Sequence, residues 1–179
     1  LRDALAAYTE EGYAYRVDFR LRPHGSAGPL AQPVSSLSEY YRASAHLWEI
    51  QALLKARPVA GNRDVGKRFL DDMTGVLLER RSQLDIVSTV SRMREKAVQR
   101  VFVGKGGEDI KTGVGGIRDV EFAVQALQLQ HATDFPRLIT GNTLEAMDRL
   151  REAGLVDAER MTTLRSDYVF LRRTEHLIQ

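Results

Sequence analysis

The sequence predicts an α+β protein that is mostly α, with a small β-containing N-terminal third feeding a helical bundle. Three observations carry that reading. Val17, Phe19 and Leu21 alternate with Asp18, Arg20 and Arg22, the period of two that gives a strand one apolar face. Beyond Asp64 the apolar residues recur instead at helical spacing. Capping residues punctuate those helical stretches, with Gly141-Asn142-Thr143 before one and Asp157 before the last. The change of period places a domain boundary after residue 62, giving a first domain over 1–62 and a helical bundle over 63–179.

Taken in order, Arg2 to Glu11 suits a short helix stopped by Gly12. The strand Tyr15 to Arg22 follows, and Pro23, Gly25 and Gly28 end it in a tight loop. Ser36-Leu37-Ser38-Glu39 has the form of a capping box, so a helix is expected from there to Glu49 with Leu37, Tyr41, Ala45 and Trp48 as its buried stripe. Ala52 to Val59 fits either a continued helix or a short edge strand. Pro58 disfavours a helical Arg57, which favours the strand and puts Lys55 and Arg57 on one face. Residues 64–80 and 84–103 form two amphipathic helices, the second carrying Arg92, Arg94, Lys96 and Arg100. A glycine-rich break at 104–107 and a loop at 108–116 lead into a helix over 117–131. Another runs from Thr143 to a stop at Gly154, and the last runs from Ala158 to the end.

Composition narrows the function classes. The 43% hydrophobic and 28% charged content is ordinary for a soluble globular chain of 179 residues. A net charge of +2 argues for neither nucleic acid nor an anionic membrane. The aromatic residues are not interleaved with basic ones, so no nucleic-acid partner is expected, and the basic 92–100 stretch alone favours one. Zero cysteines exclude disulfides, thiolate metal sites and a cysteine nucleophile; they fit a reducing compartment, and a cytoplasmic location is expected. No apolar run approaches the roughly 20 residues that span a bilayer, so no membrane partner is expected. The N-terminus, Leu1-Arg2-Asp3-Ala4-Leu5, has no Met and reads as part of a longer chain. The four histidines lack metal-ligand spacing, and Ser26, Ser35 and Ser36 lack a nucleophile-elbow context.

Several residues do not fit a plain bundle. Asp18 with Arg20 and Arg22 sets an acid suited to a metal beside cations suited to phosphates, as nucleotidyl chemistry requires; the same pattern also fits an edge strand with a solvated charged face. On the 117–131 helix, Glu121 and Gln128 fall on the side of Ile117 and Val124. A carboxylate there needs a cation or a metal. Glu175 lies in the same way on the stripe of Leu164, Tyr168, Leu171 and Ile178, where an arginine such as Arg118 or Arg172 would satisfy it. Gly113-Val114-Gly115-Gly116 before a helix offers amides to an anion, and Lys111 just ahead adds to the phosphate reading; the glycines equally suit a tight turn.

Tyr15-Arg16-Val17-Asp18-Phe19-Arg20-Leu21-Arg22-Pro23, Trp48-Glu49 with Gln51 to Arg57, Gly115-Gly116-Ile117-Arg118-Asp119-Val120-Glu121-Phe122 and Phe170-Leu171-Arg172-Arg173-Thr174-Glu175-His176 occur together and in order. On these stretches the chain resembles the bifunctional glutamine synthetase adenylyltransferase/adenylyl-removing enzymes, also called glutamate-ammonia-ligase adenylyltransferases. The resemblance implies the C-terminal part of a polymerase-β-like nucleotidyltransferase domain followed by a helical bundle. Residues 1–62 would then be a partial domain that lacks the Gly-Ser…Asp-x-Asp segment. Of the family's two halves, the wording is more similar to the N-terminal one, which removes AMP from a glutamine synthetase tyrosine by phosphorolysis and yields ADP. The AMP-attaching half is the alternative.

The resemblance implies Asp18 as a catalytic acid and metal ligand. It implies Mg²⁺ as cofactor, with nucleotide (ATP or ADP) and inorganic phosphate as substrates. Arg20, Arg22, Lys55, Arg57 and Lys111 become the candidates for holding phosphate or nucleotide. Asp119 and Glu121 either complete the metal site or pair with arginines. Glutamine synthetase and a PII-type signal protein are the implied partners. One carboxylate does not organise two magnesium ions, so this stretch alone is expected to be inactive. A reading of another class makes residues 64–179 a helical docking module.

Overall fold

A computed structural model of the chain describes residues 6–10, 12, 17–81, 86, 88, 90–92, 94–95 and 109–178. They fall into two compact units, Leu1–Ala45 and His46–Gln179, each described by itself. The sequence places its change of character later, after residue 62. The helix between the two positions packs with the second unit.

In the first unit the expected strand is not formed. Val17 to Arg20 are irregular, and Leu21 to His24 bend into a short 3-10 turn at Gly25–Ala27. A strand is held by ladder bonds from a neighbour, and no ladder reaches residues 17–22 among those described. Local bonds take their place: the Arg20 N–H donates to Asp18 Oδ1 at 2.8 Å, and the Arg22 N–H donates to the Arg20 carbonyl at 2.9 Å. Tyr15 and Arg16 lie outside the described residues. The expected helix over 2–11 is also corrected where it is described. Ala6 alone is helical, and Thr9 and Gly12 exchange N–H···O bonds of 2.7 and 3.0 Å in an isolated antiparallel bridge.

Helix α1, Val34–Ala43, starts ahead of the expected Ser36 cap, with Pro33 in the cap position. It does not run on to Glu49. The chain breaks at Ser44 and restarts as α2, Leu47–Leu53, where the His46 N–H donates to Glu49 Oε2 at 2.8 Å. The side-chain half of a capping box therefore operates at Glu49. Tyr41 and Ala45 are buried as expected, whereas Trp48, beyond the break, is 43% exposed.

In the second unit, α2 winds on through Leu54 and Lys55, whose N–H groups donate to the carbonyls of Gln51 and Ala52 at 3.2 and 3.0 Å. Ala56 to Val59 is irregular, so the edge strand expected over 52–59 is replaced by a helix end. Helix α3, Arg63–Arg81, is capped by Asn62, whose Oδ1 accepts from the N–H groups of Asp64 and Val65. Of the next expected helix, the described residues between 86 and 95 are helical, with Ile86 and Val90 buried; Lys96 and Arg100 lie outside the described residues. Helices α4, Ile117–His131, α5, Thr143–Glu152, and α6, Ala158–Leu177, stand where the sequence places them. Asn142 Oδ1 accepts from the N–H groups of Leu144 and Glu145, and Asp157 accepts from the N–H of Arg160. Gly154, at φ +67°, ends α5 in the left-handed conformation that glycine adopts without strain.

The three helices pack on one another around Ile117, Val124, Leu138, Ala146, Met147, Leu150 and Met161. Gln128 sits in the same core because its Nε2 donates to the carbonyls of Leu138 and Thr140 at 2.6 and 2.9 Å, satisfying a turn that no helix completes. No described helix is long and apolar enough to cross a membrane. Leu150, fully buried, should cost about 2–5 kcal/mol when cut to Ala in urea unfolding. Leu177→Ala, at a residue 84% exposed, should change stability by less than about 0.5 kcal/mol.

Candidate functional site

Four elements of the second unit bring polar side chains to one place. Glu121 lies one turn after Ile117 on α4, at the margin of the core face, and its side chain is 27% exposed. The Tyr168 hydroxyl, from α6, donates to Glu121 Oε1 at 2.8 Å. Lys55, from the turn that ends α2, has its Nζ 3.9 Å from the same oxygen and donates to Thr143 Oγ1, at the start of α5, at 2.6 Å. Gly141 makes this approach possible. A Cβ there would lie 2.9 Å from the Leu54 carbonyl oxygen and 3.4 Å from Lys55 Cα. Alongside, Gln51 Nε2 donates to Gln125 Oε1 at 2.5 Å between α2 and α4. Burial raises the Tyr168 hydroxyl above its ordinary range; Thr143 opposes the shift and Glu121 adds to it. The phenol therefore remains a protonated donor at neutral pH.

Asp119, two residues before Glu121, is bound differently. Arg94 grips it with two bonds, Nε to Oδ1 at 2.9 Å and Nη2 to Oδ2 at 2.8 Å, and the Gly115 N–H donates to Oδ2 at 2.9 Å. Arg94 foremost, with the Gly115 amide, holds its carboxyl below the usual range. The glycine stretch is thus largely occupied from within the chain. Gly113 and Gly116 donate to the carbonyls of Asp109 and Gly113, and the Asp119 carboxylate is itself the anion at the start of α4. Lys111 Nζ lies 3.0 Å from Glu175 Oε1, and Arg172 Nη1 donates to Glu175 Oε2 at 2.7 Å. Glu175 meets the arginine expected of it, with a lysine besides.

The first unit holds Asp18, Arg20 and Arg22. Arg20 Nε and Nη2 contact the Asp18 carboxylate at 2.6 to 3.0 Å, and these bonds pull Asp18 down to about 2. The Arg22 guanidinium closes the following loop, donating to the carbonyls of Gly28 and Ser26 at 3.0 and 3.2 Å and to that of Phe19. Arg57 is exposed on the irregular stretch after α2. Within the second unit the structure therefore joins Lys55 with Glu121, but assigns Asp119 to Arg94 and Lys111 to Glu175.

Tyr168, Thr143 and Arg94 are the partners that sequence reasoning missed. For Tyr168 a signal existed, since a phenol on a buried stripe needs a partner for its hydroxyl. Among the described residues no three His, Cys, Asp or Glu side chains group as metal ligands. Asp18, Asp119 and Glu121 are each bonded to a cation or a hydroxyl. The described residues do not by themselves fit an octahedral, oxygen-ligated magnesium ion.

The depressed carboxyl of Asp119 makes a prediction with a definite sign. Its folded value lies below its unfolded one, so the stabilisation is fully present above about pH 4 and is lost as pH falls through the folded value. Asp119→Asn should cost about 1–3 kcal/mol at neutral pH. Its urea midpoint should also fall less steeply than wild type on acidification below about pH 4. Parallel curves would show that the pair does not contribute.

Residues 1–72 match the family described as glutamate-ammonia ligase adenylyltransferase, and residues 89–179 match the one described as GlnD PII-uridylyltransferase. The bifunctional glutamine synthetase adenylyltransferase/adenylyl-removing enzyme of Streptomyces coelicolor is 40% identical over 171 residues, 96% of this chain and 17% of its own. The enzyme of that name from Mycobacterium tuberculosis is 40% identical over 179 residues, 100% of this chain and 17% of its own. That of Mycolicibacterium smegmatis is 39% identical over 165 residues, 92% of this chain and 16% of its own. The chain thus spans about a sixth of the length of these relatives. Likeness at this level along essentially every residue means that the chain belongs to the family of the bifunctional glutamine synthetase adenylyltransferase/adenylyl-removing enzymes.

Proposed function

We propose that this chain is part of a cytoplasmic enzyme that regulates glutamine synthetase by reversible adenylylation, and that it comes from the half that removes AMP. The observation that carries the proposal is the 40% identity over 96% and 100% of the chain to enzymes named for both attaching and removing adenylyl groups. The wording Arg118-Asp119-Val120-Glu121-Phe122 and Phe170-Leu171-Arg172-Arg173 supports the removing half. Residues 1–62 are then the C-terminal part of a polymerase-β-like nucleotidyltransferase domain. In the reaction an oxygen of inorganic phosphate attacks the α-phosphorus. The bond from phosphorus to the tyrosyl oxygen breaks, that oxygen takes up a proton, and ADP leaves.

Such an attack brings two anions together, so cations must flank the phosphates. Arg20 and Arg57 are exposed and suited to that task, and Lys55 presents its ammonium at the Glu121 margin of the bundle. In the complete enzyme Asp18 would serve as one metal-binding acid, and its bonds to Arg20 would have to be given up for it. Mg²⁺ needs further carboxylates than the described residues assemble, and these belong to the remainder of the enzyme. The isolated chain is accordingly inactive.

A second reading rests on the match of residues 89–179 to the PII-uridylyltransferase family, which favours a PII-type signal protein as a partner of the helical unit. Binding of that protein to the 179-residue chain alone would support the docking role. For the enzymatic reading, Asp18→Asn in the full-length protein should lower phosphate-dependent ADP release from adenylylated glutamine synthetase by roughly 100-fold or more. AMP attachment from ATP should persist, and the circular dichroism should be unchanged. Loss of attachment alone would move the chain to the other half, and retention of both activities would sink the catalytic role of Asp18.

A further inference from the structure

Lys55 is only partly committed to the chain that carries it. An ammonium has three N–H donors, and Thr143 Oγ1 takes one of them at 2.6 Å. Glu121 Oε1 stands at 3.9 Å, near enough for charge attraction and too far for a hydrogen bond. No other described residue bonds the ammonium, and the side chain is 37% exposed. Donors are therefore left over on the open side of the cluster. The counter-charge of this cation is held back by about 1 Å from the separation of a charge-assisted bond.

Tyr168 accounts for that gap. Its hydroxyl donates to the same oxygen, Glu121 Oε1, at 2.8 Å, and the phenol also interacts with Thr143. One hydroxyl thus touches both groups that face the ammonium. Tyr168 is buried, so packing fixes the ring and with it the direction of the hydroxyl. A phenol serving only to satisfy Glu121 would be redundant, because Lys55 lies close enough to do so itself. Without the hydroxyl, Glu121 would lose its one hydrogen-bond donor among the described residues. A half-buried carboxylate short of a donor would draw in the Lys55 ammonium. The cation would then be spent inside the chain.

We infer that Tyr168 is a positioning residue for Lys55: by occupying Glu121 Oε1 it keeps the ammonium uncommitted, ready to receive an oxygen of inorganic phosphate. This rests on the reading of Lys55 as a cation that flanks phosphate in the removal of AMP, and adds the group that sets its affinity.

The test follows removal of AMP from adenylylated glutamine synthetase by the full-length enzyme at varied phosphate. Tyr168→Phe deletes one oxygen and keeps the ring in the core. It should raise KM for phosphate about three- to tenfold and leave kcat within about twofold. Adding Glu121→Gln removes the charge that captures Lys55, and should return KM to within about twofold of wild type. A purely structural phenol gives the opposite pattern: losses that accumulate in the double variant, a lower melting temperature and no selective change in KM. Lys55→Gln separates the inference from the reading beneath it. If that variant leaves the phosphate KM unchanged, Lys55 does not hold phosphate and both fail. If it raises KM while Tyr168→Phe does not, the inference alone is overturned. It is likewise overturned if the double variant keeps the KM of Tyr168→Phe, or loses turnover, which would make Glu121 a ligand in its own right.

Discussion

A carboxylate at the margin of a helical core must be met by donors, and in this protein the donors for Glu121 come from outside its own helix. Tyr168 reaches it from α6 and Lys55 from the end of α2, while Thr143 ties Lys55 to the first turn of α5. None of these groups is satisfied by its own element. Lys55 needs a counter-charge or an acceptor, the buried phenol needs an acceptor, and Glu121 needs both of them. Each helix is thereby held in a definite rotation about its axis, because turning α4 by one residue would swing Glu121 through about 100° and leave the other polar groups unpaired. The apolar core fixes how closely the helices approach; the polar cluster fixes their register.

The same economy governs the rest of the acidic residues around α4 and α6. Asp119 closes the glycine loop ahead of α4 through the Gly115 amide and at the same time receives the Arg94 fork. Glu175 holds Lys111, in the loop before α4, against Arg172 on its own helix. The two contacts approach the 109–116 loop from different elements, and the backbone closes it further as Ile117 and Arg118 donate to the carbonyls of Ile110 and Lys111. These acids act as fasteners in the second unit. A carboxylate engaged in this way is a poor magnesium ligand until its cation is displaced, because metal binding must first break a charge-assisted pair.

What the sequence disclosed followed the range of the interactions involved. Helices α3 to α6 were legible because their signals are local: a cap such as Asn142 or Asp157 bonds amides two or three residues ahead, and the apolar period repeats within a few turns. The strand at Val17 to Arg22 was misread because alternation reports only which side chains are apolar. The extended backbone itself requires a partner, and here Asp18 and Arg20 supply local bonds instead. The break between α1 and α2 was hidden for a related reason. Ser36 and Glu39 have the right letters for a cap, but the reciprocal bond forms at Glu49. Pairings such as Glu121 with Tyr168, 47 residues away, lie beyond any local pattern. The acid left over on the stripe of α4 found its donor in a tyrosine counted as part of the apolar stripe of α6.

Helix α6 shows how one twenty-residue segment carries both kinds of information. Its inner stripe is specified by what it must satisfy: Met161 fills the core, Tyr168 meets Glu121, and Glu175 meets Lys111. Its outer stripe is under no such demand, and a helix serving only solubility would place small or mixed-charge residues there. The stripe instead carries exposed Phe170 and Leu177, with Arg173 beside them. Exposed aromatic and aliphatic surface costs hydration free energy in the free protein.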